Sequence, residues 1–144
     1  MSGGTESLHD WLIDKLAATN KFDIFATEGG FKIAKNPTGQ QNLRVTLGND
    51  EMWPDVVVYD PKTSSVKRIG EIETEETVTI EHAEGHWDLY SKAVAGDFVL
   101  VVPNSSVEAA KQIMKQLQVL GQLWQYEVSQ DNYGKTAVTF DIIQ

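Results

Sequence analysis

Three acidic residues near the middle of the chain have the types and spacing of a divalent-cation site. Asp55 opens an apolar segment, and Glu71 and Glu73 occupy alternate positions beyond a polar turn. Side chains alternate across a β-strand with a period of two, so Glu71 and Glu73 share one face. Carboxylates brought close together repel one another unless a cation or bound protons neutralise them. Oxygen ligands with room left for water suit Mg²⁺ or Mn²⁺, so this spacing predicts a metal site.

The element that must position these carboxylates is a β-hairpin within residues 53–77. Its first strand begins at Asp55, which shares a face with Val57 and Tyr59, and its turn lies in residues 61–65. The second strand is expected to run from residue 66 to residue 77. Antiparallel pairing of the two strands brings Asp55 toward the Glu73 end of the second strand. The hairpin therefore predicts that all three acidic groups converge.

The same residues resemble the signature of the PD-(D/E)XK nucleases, the restriction-endonuclease-like superfamily. The resemblance lies in Pro54-Asp55 and, after a hairpin-length gap, Glu71-Ile72-Glu73. Glu73 stands where the pattern usually has lysine, which is similar to the Glu-x-Glu variants of the family. The resemblance implies that Asp55, Glu71 and the backbone carbonyl of Ile72 hold Mg²⁺ or Mn²⁺. It also implies hydrolysis of phosphodiester bonds in DNA by a metal-activated water.

The resemblance gives further residues a role in this chemistry. Glu73 is expected to be a further ligand or the base that takes a proton from the water. Lys67 lies about 13 Å along the strand from Glu71, so Lys92 on the following helix is the better substitute for the missing lysine. Glu6, and less strongly Asp10, match the glutamate that an early helix contributes in many members. The alternative for both acids is interaction with the helix N-terminal dipole.

Two histidines follow the acidic residues. His82 and His86 are four residues apart, so on a regular helix both imidazoles point the same way, as in zinc-binding pairs. No third ligand stands at a recognisable spacing, and the intervening residues lack the metalloprotease order. We therefore favour a role for His82 at the border of the acidic cluster, contacting a phosphate or capping a carboxylate. Trp87 and Tyr90 are assigned to the hydrophobic core.

Hydrophobic periodicity and capping signals predict the remaining elements. The expected fold class is α/β (α+β): a restriction-endonuclease-like core with a mixed central β-sheet flanked by helices. The core order is α-β-β-β-α-β, with an added helix and C-terminal strands, and the match covers Ser7 to Val102. The predicted helices are Ser7 to Ala18, Ile80 to Ala95, and one from a capping box at Ser105 to Glu108 up to Gly121. The other predicted strands are Asp23 to Thr27, Phe31 to Lys35, Leu43 to Leu47, Asp97 to Val102, Leu123 to Ser129 and Thr136 to Ile142.

Length and composition limit the classes of protein to consider. The 144 residues predict one domain over residues 1–144, with residues 1–6 flexible. The absence of cysteine excludes disulfides and thiolate metal sites. The apolar runs are too short to cross a bilayer, and we expect no secretory signal, so a cytoplasmic protein is predicted. The sequence contains neither a phosphate-binding Gly-x-x-x-x-Gly-Lys loop nor a Gly-x-Ser-x-Gly nucleophile motif.

The charge balance opposes simple binding to duplex DNA. Twelve Lys and Arg residues stand against 21 Asp and Glu residues, which gives a formal net charge of −9. Proteins that bind DNA usually present a basic face, so either the basic residues cluster, a metal supplies positive charge, or the partner is not nucleic acid. The leading hypothesis is a Mg²⁺-dependent nuclease, acting as a homodimer or beside a partner subunit because one site cuts one strand. The alternative is a catalytically inactive fold of the same kind that serves as an interaction or regulatory module.

Overall fold

The computed structural model describes residues 7–22, 29–95 and 97–144, which form helices on both faces of a mixed β-sheet. Short 3₁₀ helices lie at Glu75–Thr77 and Asn104–Ser106. The helices are α1 (Leu8–Ala18), α2 (Ile80–Gly85), α3 (Trp87–Ala93) and α4 (Val107–Leu117). The strands are β1 (Lys32–Lys35), β2 (Val45–Leu47), β3 (Asp50–Met52), β4 (Val56–Tyr59), β5 (Val66–Ile72), β6 (Phe98–Pro103), β7 (Gln122–Gln130) and β8 (Thr136–Ile142).

The main sheet is six-stranded, with the order β1-β4-β5-β6-β7-β8. Strands β1, β4 and β5 are antiparallel neighbours, β6 runs parallel to β5, and β7 runs parallel to β6. Strand β8 returns antiparallel to β7. Strands β2 and β3 pair only with each other, as a separate hairpin. The predicted mixed α/β architecture, a curled mixed sheet flanked by helices, is therefore confirmed.

Both faces of the central strands are buried. Val56 and Ile72 face the cluster that contains Leu12 and Leu16 of α1. Val57 and Ile69, on the opposite face, join the cluster formed with α2, α3 and α4. A strand covered on both sides is apolar at every position, which accounts for the uninterrupted apolar sequence of β6. This two-sided burial fixes the direction in which each side chain of β4 and β5 points.

Helix α1 begins as its capping residues predict. The Ser7 side chain accepts a hydrogen bond from the backbone N–H of Asp10 at 3.1 Å. The helix packs closely against β5 at Gly70, where a Cβ atom would lie 2.7 Å from the Phe22 ring. Glycine at this position lets the segment after α1 approach the sheet, and α1 is held across the β4–β5 hairpin.

Two predicted elements around the acidic residues differ from the structure. The helix predicted over Ile80 to Ala95 is divided into α2 and α3 because His86 leaves helical geometry, with φ −133° and ψ −63°. The strand predicted to reach residue 77 ends at Ile72. The hydroxyl of Thr77 accepts a hydrogen bond from the N–H of Thr74 at 2.9 Å and closes a 3₁₀ turn there. Thr77 of the 3₁₀ turn and Trp87 at the start of α3 both lie beside Glu73.

Other boundaries were also predicted wrongly. The N-cap residue of helix α4 is Ser106, whose side chain makes no capping hydrogen bond, and the hydroxyl of Ser105, where the predicted capping box begins, donates to Glu75 at 2.6 Å. The same helix ends before Gln118, which adopts a left-handed conformation with φ 55°, rather than at Gly121. Gly48 and Asn49 lie in a turn, as predicted, but this turn joins β2 to β3, and Asp50 and Glu51 belong to β3.

The predicted strand at Asp23 to Thr27 lies outside the described residues, and so does Glu6. Within the described parts of the chain, no helix has the length and apolar character that spanning a membrane requires.

Candidate functional site

Asp55 and Glu71 face each other across the β4–β5 hairpin. The pairing of Val56 with Gly70 places the two acidic residues at the next opposed positions. The backbone N–H of Asp55 donates to Oε1 of Glu71 at 3.1 Å. The backbone N–H of Ile72 donates to Oδ2 of Asp55 at 2.8 Å. Each carboxylate is thus held by the backbone of the opposite strand, and the strand pairing itself brings them together.

The backbone at the start of β4 is fixed from the loop that follows β1. The N–H of Asn36 donates to the carbonyl of Asp55 at 3.0 Å. The side-chain amide of Asn36 donates to the carbonyl of Pro54 at 2.7 Å. Asn36 is buried, so these bonds are protected from water and hold the Pro54-Asp55 segment in place.

Glu73 lies just beyond the end of β5, where its N–H still pairs with the carbonyl of Val101 on β6 at 2.9 Å. Its Oε2 accepts from the indole Nε1 of Trp87 at 2.6 Å and lies 3.0 Å from Nε2 of His82. Its Oε1 accepts from the hydroxyl of Thr77 at 3.0 Å. Three side chains therefore fix the orientation of this carboxylate.

Helix α1 reaches the site through a histidine. Nε2 of His9 lies 3.0 Å from Oδ2 of Asp55, and Nδ1 of His9 lies 3.3 Å from Oδ1 of Asp10. Asp10 also accepts from the N–H and the hydroxyl of Thr38, each at 3.0 Å. Asp10 therefore positions His9 and does not enter the carboxylate cluster itself.

His82, His86 and Tyr90 form the opposite side of the site. The two imidazole rings stack, with centroids 4.4 Å apart and planes inclined by 14°. Nδ1 of His86 lies 3.3 Å from the hydroxyl oxygen of Tyr90. One ligand atom from each of Glu71, His82 and His86 lies within 4.8 Å of the others. These three residues could hold a metal ion.

The three carboxylates and the three histidines border one cleft of about 360 Å³. Of the residues predicted for the site, Asp55, Glu71, Ile72, Glu73 and His82 line this cleft. Lys92 has an exposed side chain on α3 and is not part of the described lining. Every histidine of the chain lies in the cleft, whereas its described lining contains neither lysine nor arginine. The remaining lining residues are His9, Trp53, Thr74, Thr77, His86 and Tyr90.

No protein-family model, curated protein or solved structure matches this chain. Any functional assignment for the cleft therefore depends on the geometry and chemistry of its own residues.

Burial and mutual repulsion shift the pKa values of the carboxylates. Burial raises the pKa of Glu71 well above its usual range, and the negative charges of Asp55 and Glu73 raise it further. Burial also raises the pKa of Glu73 to about 7, against the opposing effect of its hydrogen bonds from Trp87 and Thr77. Protons on these groups do what a bound cation would otherwise do, since both relieve the repulsion. The donor set and its excess negative charge fit a divalent cation.

The histidines differ in charge. The hydrogen bond to Asp55 raises the pKa of His9 to about 9, so this imidazole is cationic at neutral pH. Burial lowers the pKa of His82, and the neighbouring His86 lowers it further. His82 is therefore neutral at the same pH and available as a ligand.

Several residues of the site were not found from the sequence. Trp87 and Tyr90 were assigned to the core by their helical spacing, and they are buried there, but their polar atoms also reach the site. His9 stands in the first turn of α1, and only its position beside the capping residue Asp10 connects it with the predicted helix start. Thr77 acts from a turn that was predicted as strand.

Proposed function

We propose that this protein is a divalent-metal-dependent hydrolase of phosphodiester bonds in DNA and a member of the PD-(D/E)XK, or restriction-endonuclease-like, superfamily. The observation that carries the proposal is the buried pair Asp55 and Glu71, each hydrogen-bonded to the backbone of the facing strand beside the cleft. The order of elements supports it: α1, the antiparallel strands β1, β4 and β5, helices α2 and α3, and then β6 parallel to β5. Apart from the separate hairpin of β2 and β3, this order agrees with the α-β-β-β-α-β order that the resemblance implies.

The carboxylates and the backbone at the end of β5 are suited to hold the ion. Asp55, Glu71 and the carbonyl of Ile72 would be its protein ligands, with water at the remaining positions. Mg²⁺ or Mn²⁺ bound there supplies polarisation of the scissile phosphate and lowers the pKa of a bound water. Burial and the charge of Asp55 raise the pKa of Glu71, and a divalent ion bound there would offset both effects.

Glu73 is suited to accept the proton of the attacking water. Its pKa of about 7, raised by burial, lies near the working pH, where a general base is most effective. Trp87 and Thr77 donate to its two oxygens and keep it oriented toward the cleft. As the bond from phosphorus to the water oxygen forms, the bond to the leaving sugar oxygen breaks, and Glu73 returns the proton through water to that oxygen, which leaves as a hydroxyl.

His9 takes the role that lysine has in the usual signature. Its imidazole is cationic because the hydrogen bond to Asp55 raises its pKa to about 9. A cation at this position orients Asp55 and stabilises negative charge that develops on the phosphate. We assign this role to His9 rather than to Lys92, whose exposed side chain does not line the cleft. The same charge attracts the DNA backbone in a protein with a net charge of −9.

Cleavage assays on plasmid and single-stranded DNA test the proposal. We expect cleavage with Mg²⁺ or Mn²⁺, none in chelator, and a loss of at least about 100-fold in Glu71→Gln because a ligand of the ion is removed. Glu127→Gln is the matched control, since Glu127 is exposed on β7 far from the cleft lining. Cleavage that persists in chelator or in Glu71→Gln excludes the proposed function.

The second candidate is a catalytically inactive domain of the same fold that serves as an interaction or regulatory module. Glutamate in place of the signature lysine and the net charge of −9 favour it. A protein that neither cleaves DNA nor binds Mn²⁺ at the cleft would support this alternative. Sedimentation analysis adds a further distinction, because it measures the oligomeric state. A nuclease that cleaves both strands at one position requires two sites, as in a homodimer, whereas an inactive module does not.

A further inference from the structure

The two histidines after β5 lie against the side of the cleft that contains Glu71. Their ligand atoms and that of Glu71 all lie within 4.8 Å of one another. Ligands bonded at about 2.1 Å to a tetrahedral ion are separated by about 3.4 Å, so the ligand atoms must approach one another by up to about 1.4 Å to complete the site. His82 and His86 are both partly exposed, and rotation of their side chains supplies this movement without a change in the backbone.

A second observation concerns the atoms that hold the two rings. Nε2 of His82 is 3.0 Å from Oε2 of Glu73, which is only 3% exposed. Nδ1 of His86 is 3.3 Å from the hydroxyl oxygen of Tyr90. Histidines that bind metals commonly engage a carboxylate or other polar group through the second ring nitrogen, which fixes the tautomer and the ring orientation. Each ring here has one nitrogen engaged in this way, Nε2 of His82 and Nδ1 of His86, and carries a second ring nitrogen besides.

We propose that Glu71, His82 and His86 form a binding site for a first-row transition-metal ion. One carboxylate oxygen and two imidazole nitrogens favour ions such as Zn²⁺ and Co²⁺ over Mg²⁺, which prefers oxygen ligands. Three protein ligands leave a fourth position open to the cleft for water or a substrate oxygen, as in catalytic zinc sites. Glu73 and Tyr90 act as supports that position the two histidines.

This site is separable from the proposed nuclease activity. It shares Glu71 with the Mg²⁺ position at Asp55 but uses neither Asp55 nor the carbonyl of Ile72. An inactive module would bind the same ion, and a nuclease that uses only Mg²⁺ would leave both histidines without a metal. A change at Asp55 therefore alters only the Mg²⁺ position, and a change at His82 or His86 removes a ligand of the transition-metal site alone, so the failure of one proposal is distinguishable from the failure of the other.

Titration of the full chain with Co²⁺, followed by visible absorption in a large excess of Mg²⁺, tests the inference. We expect one Co²⁺ per chain with the spectrum of a four-coordinate ion. His82→Gln and His86→Gln should each weaken binding by at least about 100-fold, because each removes a ligand. Glu84→Gln is the matched control on α2: Glu84 is exposed between the two histidines, and its replacement should leave the affinity unchanged.

Imidazole NMR of the unaltered protein provides a measurement that does not depend on the folding of variants. Zn²⁺ should shift the ring resonances of His82 and His86 strongly, and those of His9, which contacts Asp55 instead, only weakly. Retention of Co²⁺ affinity in folded His82→Gln and His86→Gln would overturn the inference. So would displacement of Co²⁺ by Mg²⁺, or a Zn²⁺ response that is absent or strongest at His9.

Discussion

Strand β5 has buried charged side chains near both of its ends, and the two ends differ in the groups that neutralise these charges. Near its start, Arg68 is 8% exposed, and its Nε donates to Oδ1 of Asp97 at 2.9 Å. At and just beyond its other end, Glu71 and Glu73 are 6% and 3% exposed and lie beside a third carboxylate, Asp55. Arg68 therefore meets an opposite charge, whereas each carboxylate meets like charges.

The difference separates a structural ion pair from a functional cluster. Removing a charge from water is costly unless an opposite charge or hydrogen bonds compensate for it. Asp97 provides that compensation for Arg68. The carboxylates receive hydrogen bonds and the charge of His9, but neither lysine nor arginine from the described lining of the cleft. Stability alone gives no reason to bury them together, and binding of a cation does.

The largest effect on stability is expected where the ion pair is broken. Asp97→Ala removes the carboxylate that accepts from Nε of the buried Arg68, and we expect the free energy of unfolding to fall by about 3 kcal/mol. Urea denaturation measures this change. Glu51→Ala is the control, because its pair with Arg44 is exposed and such pairs contribute less than about 1 kcal/mol. Equal losses in the two variants would show that burial does not distinguish the pairs.

A smaller effect of opposite sign is expected in the carboxylate cluster. In chelator at pH 8, Glu71→Gln removes a charge that burial and Asp55 both disfavour, while the amide oxygen still accepts from the N–H of Asp55. We expect the free energy of unfolding to rise, because the neutral amide carries no charge to be buried beside Asp55. Urea denaturation with and without Mn²⁺ is the measurement, and Mn²⁺ should stabilise only the unaltered protein. A loss of stability in the metal-free variant would contradict the statement that like charges destabilise the buried carboxylates.

The pH dependence of the metal-free protein should be gradual. Glu73 has a folded-state pKa of about 7 against an ordinary 4.5, so the folded protein retains a proton that the unfolded chain has lost. Stability therefore falls as the pH rises through this window, by at most about 1.4 kcal/mol per pH unit. His9, with its pKa raised from 6.5 to about 9, contributes stability that is present below pH 6.5 and lost as the pH rises toward 9.

The two contributions can be separated by substitution. Glu73→Gln should lessen the decline in stability between about pH 4.5 and 7 and leave the contribution of His9 between about pH 6.5 and 9, while Glu71, whose pKa burial also raises, still lowers stability as the pH rises. Denaturation curves recorded at a series of pH values in chelator provide the measurement. An unchanged profile in Glu73→Gln would mean that this carboxylate does not hold a proton in the folded state.

Local sequence patterns predicted much of what positions the carboxylates. Period-two alternation assigned Asp55 and Val57 to one face of the sheet, and it assigned Ile69 and Glu71 to the same face. The alternation holds because a strand that is covered by helices has a fixed direction for every side chain. The same patterns predicted the strand Thr136 to Ile142 with its observed bounds. Such patterns indicate the face of the sheet on which a residue lies, and this was sufficient to predict that Asp55 and Glu71 lie close together.

The contacts around the carboxylates were beyond local patterns. His9 and Asp55 are 46 residues apart in the chain, and no periodicity links a helix residue with a particular strand end. The helical stripe that includes Trp87 correctly indicated burial, but it gave no information about the indole N–H that donates to Glu73. The break at His86 depends on tertiary packing, which overrides the helix preference of the segment.

The central claim is that the buried carboxylates at the end of β5 hold a divalent cation. Its most direct test is a crystal structure of the protein with Mn²⁺, located by anomalous scattering. We predict an ion in the cleft with a Glu71 oxygen at about 2.0–2.4 Å. A well-ordered cleft without an ion at saturating Mn²⁺, with the three carboxylates arranged as described, would contradict the account.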